Sequence, residues 1–445
     1  MIQLGATMAS PHLVRAIGRW SLAALAINCI IGSSVFGLPP KIAALVGRQS
    51  PWAVLAAGLL MGVIMACFAE VASYFSEAGG PYLYGRASFG PFIGIQTGWM
   101  FWLAQLTAPA ANANLFVTYL AEFWPGATRP IGRLATLTLL IGMLAVLNYR
   151  GVQTGIRVSN VFTVAKLLPL AVVIVAGLGY LATRRAVPSP VLAPAHSEWL
   201  PALQILVFFY GGFETALTPM SEARDPRRDP AFALLVALAA CMAIYSLIQW
   251  VVIAILPDAI HSERPLAELA GITLGPAGAA FVTLGALATL YGYLSAKILT
   301  VPRITFALAE HGDFPRFFAA IHPKFRTPHV SIVVFAVLTW LLAIFGSFAW
   351  NVTLSAVARL FYYGVGCAAL IALRRTRARQ ALFRLPGGML FAGAGVAICL
   401  VLLTTVGRSN LALVGLTVIL ALANWAWVRR RASRVAANPQ PGSCA

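Results

Sequence analysis

Apolar stretches long enough to cross a lipid bilayer follow one another along almost the whole chain. A transmembrane α-helix needs about 20 mostly apolar residues. With 60% hydrophobic and 10% charged residues among 445, the chain has more apolar surface than one soluble core would enclose. The sequence therefore predicts an all-α integral membrane protein with twelve spans. The predicted spans are 18–46, 51–76, 92–123, 130–148, 154–181, 198–222, 229–257, 276–309, 328–346, 350–373, 386–406 and 409–429.

The net charge of +19 is distributed unevenly between the two predicted sides of the membrane. When the N-terminus is placed in the cytoplasm, most Lys and Arg residues fall in inner loops and tails, as the positive-inside rule describes. Both termini are therefore expected to be cytoplasmic. A nucleic-acid partner is not indicated, because no basic stripe on a soluble face is visible. The alanine- and arginine-rich composition favours a bacterial protein of the inner cell membrane.

Two of the predicted helices are each interrupted by a glycine-containing segment. The first break is GSSVFG at 32–37, and the second is GGFE at 211–214. Unwound backbone is tolerated at membrane depth only where it lines a polar cavity, so paired breaks indicate a binding site. For a single break, the packing of small residues between helices is the alternative explanation. Together the two breaks are typical of a secondary transporter.

The breaks occupy corresponding positions in two halves of the chain. Each half holds five predicted spans, and an odd number of spans gives the two halves opposite orientations. We therefore expect two inverted five-helix repeats with broken helices 1 and 6, followed by two further helices. The predicted segments are an N-terminal tail at 1–17, repeats at 18–181 and 198–373, two last helices at 386–429 and a C-terminal tail at 430–445.

The two breaks offer complementary chemistry. A half-helix that starts near Ser33 presents free backbone N–H groups and the positive end of its dipole, which suit a carboxylate. A half-helix that ends between Phe209 and Gly211 presents unpaired carbonyl groups, which suit an ammonium group. Glycine lets the backbone approach a ligand closely. The expected ligand is therefore a zwitterion held between the breaks.

Four motifs resemble those of amino acid permeases in the amino acid/polyamine/organocation superfamily, over residues 15–375. They are IGSSVF at 31–36, EAGGPY at 77–82 with Phe89-Gly90 after it, FFYGGFE at 208–214, and the segment 303–312 running into HPKFRTP at 322–328. The resemblance implies the inverted-repeat fold, alternating access around a central site, and an amino acid as the small-molecule substrate.

The resemblance also implies which residues bind the substrate. The substrate carboxylate is expected at the backbone of Ser33 and Ser34. The amine is expected at the carbonyl groups of Ile30, Phe208 and Gly211. The full set of expected substrate-binding residues is Ile30, Gly32, Ser33, Ser34, Phe208, Gly211, Gly212 and Lys297.

Two of these positions carry an open alternative. Phe208 is implied to be an aromatic gate over the substrate, and the alternative is an aromatic side chain that packs in the core. Ser34 stands where the family usually has glycine. Its hydroxyl group is either a ligand of the substrate or a narrowing of the pocket.

Charged residues within spans are functional candidates, because each costs about 2.5–3.5 kcal/mol on translocon scales. Lys166, in VAKLLP at 164–169, resembles the fifth-helix lysine of proton-coupled, sodium-independent relatives. This likeness implies a bridge between helices 1 and 5 and transport without sodium. Lys166 either carries the coupled proton or is a fixed cation beside broken-helix carbonyl groups. Glu214 is likewise a proton site or an acceptor for loose N–H groups.

Three further charges are less defined by the sequence. Lys297 either lines the pocket or snorkels to the cytoplasmic surface. In the pocket it would disfavour cationic substrates and tolerate acidic or polar ones. Arg359 needs a partner carboxylate or carbonyl group that the sequence does not identify. Glu70 is expected to anchor a loop.

The predicted function is that of a secondary active amino acid permease, sodium-independent and proton-coupled. An exchanger, facilitator or exporter without proton coupling is the alternative. A membrane receptor or enzyme is a more remote alternative, since no HExxH motif, phosphate-binding loop or soluble sensor domain is found. No cofactor or metal is expected. The six cysteines include no CxxC pair, so neither a disulfide framework nor a zinc site is supported. Polyamines are disfavoured because the pocket region offers lysines rather than extra carboxylates.

Overall fold

A computed structural model describes residues 18–75, 80–151, 156–183, 197–217, 224–225, 228–310, 312–376 and 381–437. The regular structure of these residues is helical and includes no β-strand, which confirms the predicted all-α class. The predicted N-terminal tail, residues 77–79 of the second motif, and the chain after 437 lie outside the described residues.

Seventeen α-helices lie in this described part of the chain. In chain order they are α1 Arg19–Ile30, α2 Ser34–Gly37, α3 Pro39–Val46, α4 Ser50–Ser73, α5 Gly80–Phe89, α6 Pro91–Leu120, α7 Pro130–Tyr149, α8 Ile156–Thr183, α9 Trp199–Tyr210, α10 Phe213–Ala216, α11 Asp229–Ile255, α12 Pro265–Leu274, α13 Pro276–Glu310, α14 His329–Phe345, α15 Phe348–Thr376, α16 Gly388–Leu403 and α17 Arg408–Ala437.

Helix α17 extends further than the sequence predicted. The predicted span ended at 429 and was followed by a tail, whereas the helix continues to Ala437. Its last residues are mostly arginine and alanine, both of which have high helix propensity. The apolar stretch ends where the arginines begin, whereas the helix continues through them. The start of the predicted tail is therefore helical.

Eight helical stretches of the described residues are long and apolar enough to cross a membrane. Helix α6 is not among them, although it is 30 residues long and almost entirely buried. Its buried side chains include the polar Gln96, Gln105 and Asn112, which lower its hydropathy. A hydropathy test therefore misses a helix enclosed by its neighbours. The expectation of twelve spans stays a prediction.

The same order of elements occurs twice along the chain. Helices α4, α5 and α6 form a sequence of long, ten-residue and long helices, and so do α11, α12 and α13. Each ten-residue helix is followed by a glycine with positive φ, +85° at Gly90 and +77° at Gly275, and then by a proline that begins the long helix. Proline suits the first turn of a helix, and glycine allows the sharp change of direction before it.

The buried carboxylate of Glu70 holds one end of the bundle together. Arg374 donates to it through Nε at 2.8 Å and through Nη2 at 2.5 Å. The backbone N–H of Leu385 donates to the same carboxylate at 2.8 Å. These bonds tie the end of α4 to the end of α15 and to the loop before α16. The prediction that Glu70 anchors a loop is confirmed.

Candidate functional site

The first break separates α1 from α2. Helix α1 ends at Ile30 and α2 begins at Ser34, which leaves Gly32 and Ser33 outside both helices. Within the described residues, the backbone N–H groups of Gly32 and Ser33 have no hydrogen-bond acceptor. The hydroxyl group of Ser33 is also buried without a partner. Donors left free between two half-helices are available to a ligand.

The second break separates α9 from α10. Gly211 and Gly212 lie between these helices, and Gly212 has a φ of +115°, which strongly favours glycine. A side-chain carbon at Gly212 would collide with the backbone carbonyl group of Cys29. One at Gly211 would collide with the guanidinium group of Arg359. The second break is therefore packed directly against the last turn of α1.

The hydroxyl group of Ser34 adds a contact between the two breaks. Its Oγ donates to the backbone carbonyl oxygen of Phe209 at 3.5 Å, and the side chain is buried. A glycine at this position, as is usual in the family that the motifs resemble, would lack this hydrogen bond. The departure at Ser34 thus links the start of α2 to the end of α9.

Both breaks open onto one cavity of about 660 Å³. Its volume is within the range of small-molecule sites in proteins. Nine of the ten residues predicted for the site line this cavity, and Glu214 is the exception. The nine are Ile30, Gly32, Ser33, Ser34, Lys166, Phe208, Gly211, Gly212 and Lys297.

The charged side chains that line the cavity are all positive among the described residues. Lys166, Lys297 and Arg359 contribute to the lining, and no Asp, Glu or His side chain does so among the described residues. Nor do those residues include a group of three or more His, Cys, Asp or Glu side chains arranged to hold a metal ion. The site therefore attracts anionic groups.

Lys166 joins α8 to the end of α1. Its Nζ donates to the backbone oxygen of Asn28 at 3.0 Å and to Oδ1 of the same residue at 2.8 Å. Asn28 lies in the last turn of α1, where carbonyl groups lack helical partners and the helix dipole is negative. The ammonium group therefore satisfies oxygens at the first break, as a bridge between predicted helices 1 and 5 requires.

Two of the three carbonyl groups expected to bind an amine already accept hydrogen bonds. Ile30 accepts one from the hydroxyl group of Tyr245 at 3.1 Å, and Phe208 accepts one from the N–H of Gly211 at 3.3 Å. A carbonyl oxygen has two lone pairs, so each retains capacity for a ligand. The ring of Phe208 lines the cavity, with the guanidinium carbon of Arg359 6.0 Å from its centre.

Glu214 lies behind the cavity and at the centre of a buried network. Its carboxylate accepts a hydrogen bond from Arg359 Nη1 at 2.5 Å, and from the hydroxyl groups of Tyr362 and Tyr363 at 2.9 and 3.0 Å. The N–H of Gly212 donates to it at 2.9 Å. Glu214 thus acts as an acceptor for a loose N–H group of the break, and it is the partner of Arg359 that the sequence did not identify.

Lys297 projects into the cavity from the middle of α13. Its Nζ donates to Oε1 of Gln105 on α6 at 2.7 Å and lies 5.3 Å from the ring centre of Tyr293. The alternative that Lys297 snorkels to the cytoplasmic surface is therefore wrong. An amide oxygen and an aromatic face inside the bundle hold the ammonium group, so it need not extend to water.

Comparison with known proteins identifies the family. A family model described as amino acid permease matches residues 17–420. The chain belongs to this family. The predicted membership of the amino acid/polyamine/organocation superfamily is confirmed, and this permease is a multi-pass membrane protein with a small-molecule substrate.

Relatives of this permease carry transporter names. An uncharacterised transporter of Mycobacterium tuberculosis is 29% identical over 379 residues, which are 81% of each chain. The arginine/agmatine antiporter of Chlamydia abortus is 28% identical over 369 residues, 76% of this chain and 74% of its own. The methylthioribose transporter of Bacillus subtilis is 25% identical over 407 residues, 86% of each chain. The last two names give different substrates.

Sequence reasoning missed several residues of the permease's cavity. Asn28, Gln105, Asn112 and Tyr293 line it beside the predicted residues. The amide side chains carried a signal, because uncharged polar residues within a membrane span need a partner. Tyr293 carried none, since an aromatic residue in an apolar span is ordinary.

Replacing Gly212 with alanine is expected to destabilise the permease by about 1–3 kcal/mol, because the new side chain strains a positive φ and overpacks against α1. The free energy of unfolding of the purified protein in detergent measures this. Gly142→Ala is the matched control, since Gly142 lies on an exposed face of α7 with open space around it. Equal stability of wild type and Gly212→Ala would contradict the close packing of the two breaks.

Replacing Arg359 with methionine is expected to cost about 3–5 kcal/mol, because it leaves the carboxylate of Glu214 buried without a cation. Arg264→Met is the control. Its side chain and that of its partner Glu122 are 27% and 31% exposed, and such pairs contribute about 0.2–1 kcal/mol. The double variant Glu214→Gln with Arg359→Met should recover part of the loss. Similar unfolding free energies for Arg359→Met and Arg264→Met would refute this account of the buried pair.

Proposed function

We propose that this permease is a secondary active transporter that moves amino acids across the membrane by alternating access, without sodium and coupled to protons. The observation that carries the proposal is the single cavity shared by the two breaks. Free N–H groups at Gly32 and Ser33 suit a carboxylate, and the carbonyl groups of Ile30 and Phe208 suit an amine. One small zwitterion satisfies both sets.

The proposed architecture has twelve spans, with inverted repeats at 18–181 and 198–373 and two further helices at 386–429. The repeated order of a broken helix, a long helix, a ten-residue helix and a long helix supports it. The positive-φ glycine followed by proline at Gly90 and Gly275 adds a matching local feature in each half. Alternating access would then be the movement of one repeat against the other around the cavity.

Sodium independence rests on Lys166. Sodium would need oxygens free of another cation, and the ammonium group already holds two oxygens of Asn28 at the end of α1. For proton coupling, Lys166 is the stronger candidate of the two predicted groups. The carboxylate of Glu214 is already occupied by Arg359 and two tyrosine hydroxyl groups.

An exchange mechanism is the second candidate. The relative named arginine/agmatine antiporter favours it, since an antiporter releases one substrate for another. A facilitator or exporter would use the same cavity. The location proposed for the permease is the bacterial inner membrane with both termini in the cytoplasm, and the bias of Lys and Arg towards one predicted side supports this orientation.

Uptake of labelled neutral, acidic and basic amino acids into proteoliposomes tests the proposal. We expect accumulation when an inward proton gradient is imposed and its collapse on adding a protonophore. Replacement of sodium by choline should leave uptake unchanged. Flux only when unlabelled amino acid is loaded inside would identify an exchanger. A strict requirement for sodium would refute the role given to Lys166.

The variant Lys166→Met is expected to lose proton-driven accumulation, because it removes the cation at the break and keeps a side chain of similar length. Uptake across a range of pH values is the measurement, and the variant should show no pH dependence. Lys41→Met is the control, since Lys41 is exposed on α3. Normal proton-driven accumulation by Lys166→Met would exclude Lys166 as the coupling group.

A further inference from the structure

Lys297 differs from the other cations inside the helix bundle in what surrounds its charge. Arg359 is paired with Glu214, Arg374 with Glu70, and Lys166 with two oxygens at the negative end of α1. Lys297 has no acidic partner within 4 Å among the described residues. A single amide oxygen and the face of Tyr293 leave part of its charge uncompensated.

The side chain of Gln105 completes a pair of donors. Lysine donates hydrogen bonds and accepts none, so the atom of Gln105 that faces Lys297 must be the amide oxygen. This fixes the orientation of the amide group. Its Nε2 is then buried without a partner, on a residue that is 1% exposed and lines the cavity. An N–H group of Gln105 and the ammonium group of Lys297 thus lie together at the wall of the cavity.

The ring of Tyr293 lies between these donors and the first break, close to both. A side-chain carbon at Gly32 would lie 3.9 Å from ring carbons of Tyr293, and the same ring has Lys297 Nζ 5.3 Å from its centre. Tyr293, Lys297 and Gln105 thus line the same cavity as the first break, and a substrate side chain directed towards them would meet two hydrogen-bond donors.

We propose that Lys297 and Gln105 form a subsite that binds the side-chain carboxylate of an acidic amino acid, so that aspartate and glutamate are the preferred substrates. A carboxylate is an acceptor only, with two oxygens for the two donors. The inference rests on the proposed function, because it assumes that the substrate's main-chain groups bind at the breaks.

The charge of the cavity supports the same substrate class. A cationic side chain would bring a second positive charge next to Lys297, with no acidic side chain among the described lining residues to offset it. A neutral amide such as glutamine would accept one hydrogen bond but would not neutralise the ammonium group. Since hydrogen bonds to charged groups contribute more than neutral ones, we expect glutamate to bind at least about tenfold more tightly than glutamine.

Binding of L-glutamate, L-glutamine and L-arginine to the purified full-length permease in lipid nanodiscs tests the inference. Wild type should bind glutamate at least about tenfold more tightly than glutamine, and arginine more weakly than either. Lys297→Met should lower the affinity for glutamate at least about tenfold more than the affinity for glutamine, which removes the preference for glutamate. Lys324→Met, in an exposed loop, is the control and should bind as wild type does.

A second variant keeps the test valid where Lys297→Met fails to fold. Gln105→Glu supplies Lys297 with a carboxylate from α6, which satisfies the ammonium group and neutralises the subsite from within. It should lose the preference for glutamate and retain binding of glutamine. Thermal unfolding of each variant verifies the fold.

The outcomes separate the subsite from the site as a whole. Equal affinity of wild type for glutamate and glutamine, or tighter binding of arginine, would overturn the subsite and leave amino acid binding intact. A glutamate preference that survives in a folded Lys297→Met or Gln105→Glu protein would overturn it as well. Absence of binding and transport for every amino acid would instead refute the proposed function, and the subsite with it.

Discussion

The buried ion pair between Glu214 and Arg359 is the interaction on which the centre of this structure depends. It joins α10 to α15, and the same carboxylate accepts the N–H of Gly212. A broken helix at membrane depth leaves backbone groups that lipid cannot satisfy. Glu214 satisfies one of these groups and neutralises Arg359, whose guanidinium group packs against Gly211. The ion pair therefore stabilises the backbone conformation of the second break, because Glu214 binds Gly212 and Arg359 packs against Gly211.

Two kinds of departure from a continuous apolar helix occur beside the cavity. Helix α6 fails the hydropathy test because Gln105, Asn112 and other polar side chains are buried along it. Helices α1 and α9 are short because the breaks end them. In a membrane protein, polar groups and unwound backbone occur where neighbouring helices exclude lipid. A polar residue or a break within an apolar stretch therefore indicates a position enclosed by other helices, where a binding site can form.

Sequence reasoning found the breaks and Lys166 because each has a local signature, a glycine pair or a charge within an apolar stretch. It did not find the partner of Arg359, because Glu214 is 145 residues away along the chain. The pairing of Lys297 with Gln105 spans 192 residues for the same reason. The ten-residue helices α5 and α12 were missed because they are too short to read as spans, although Gly90-Pro91 and Gly275-Pro276 mark their ends. Local pattern predicts helices, whereas partners depend on how helices assemble.

The cavity separates two tasks between different elements. In the proposed binding mode, the backbone of the breaks faces the groups that every amino acid shares. Helices α6 and α13 supply the side chains Gln105 and Lys297 at one wall of the same cavity. Backbone donors and acceptors do not change when a side chain is replaced, whereas the charge of the wall does. Membership of the family, which covers 17–420, therefore does not determine the substrate. One residue on α13 can change the sign of the charge at this wall without disturbing either break, so substrate preference can diverge while the main-chain site is retained.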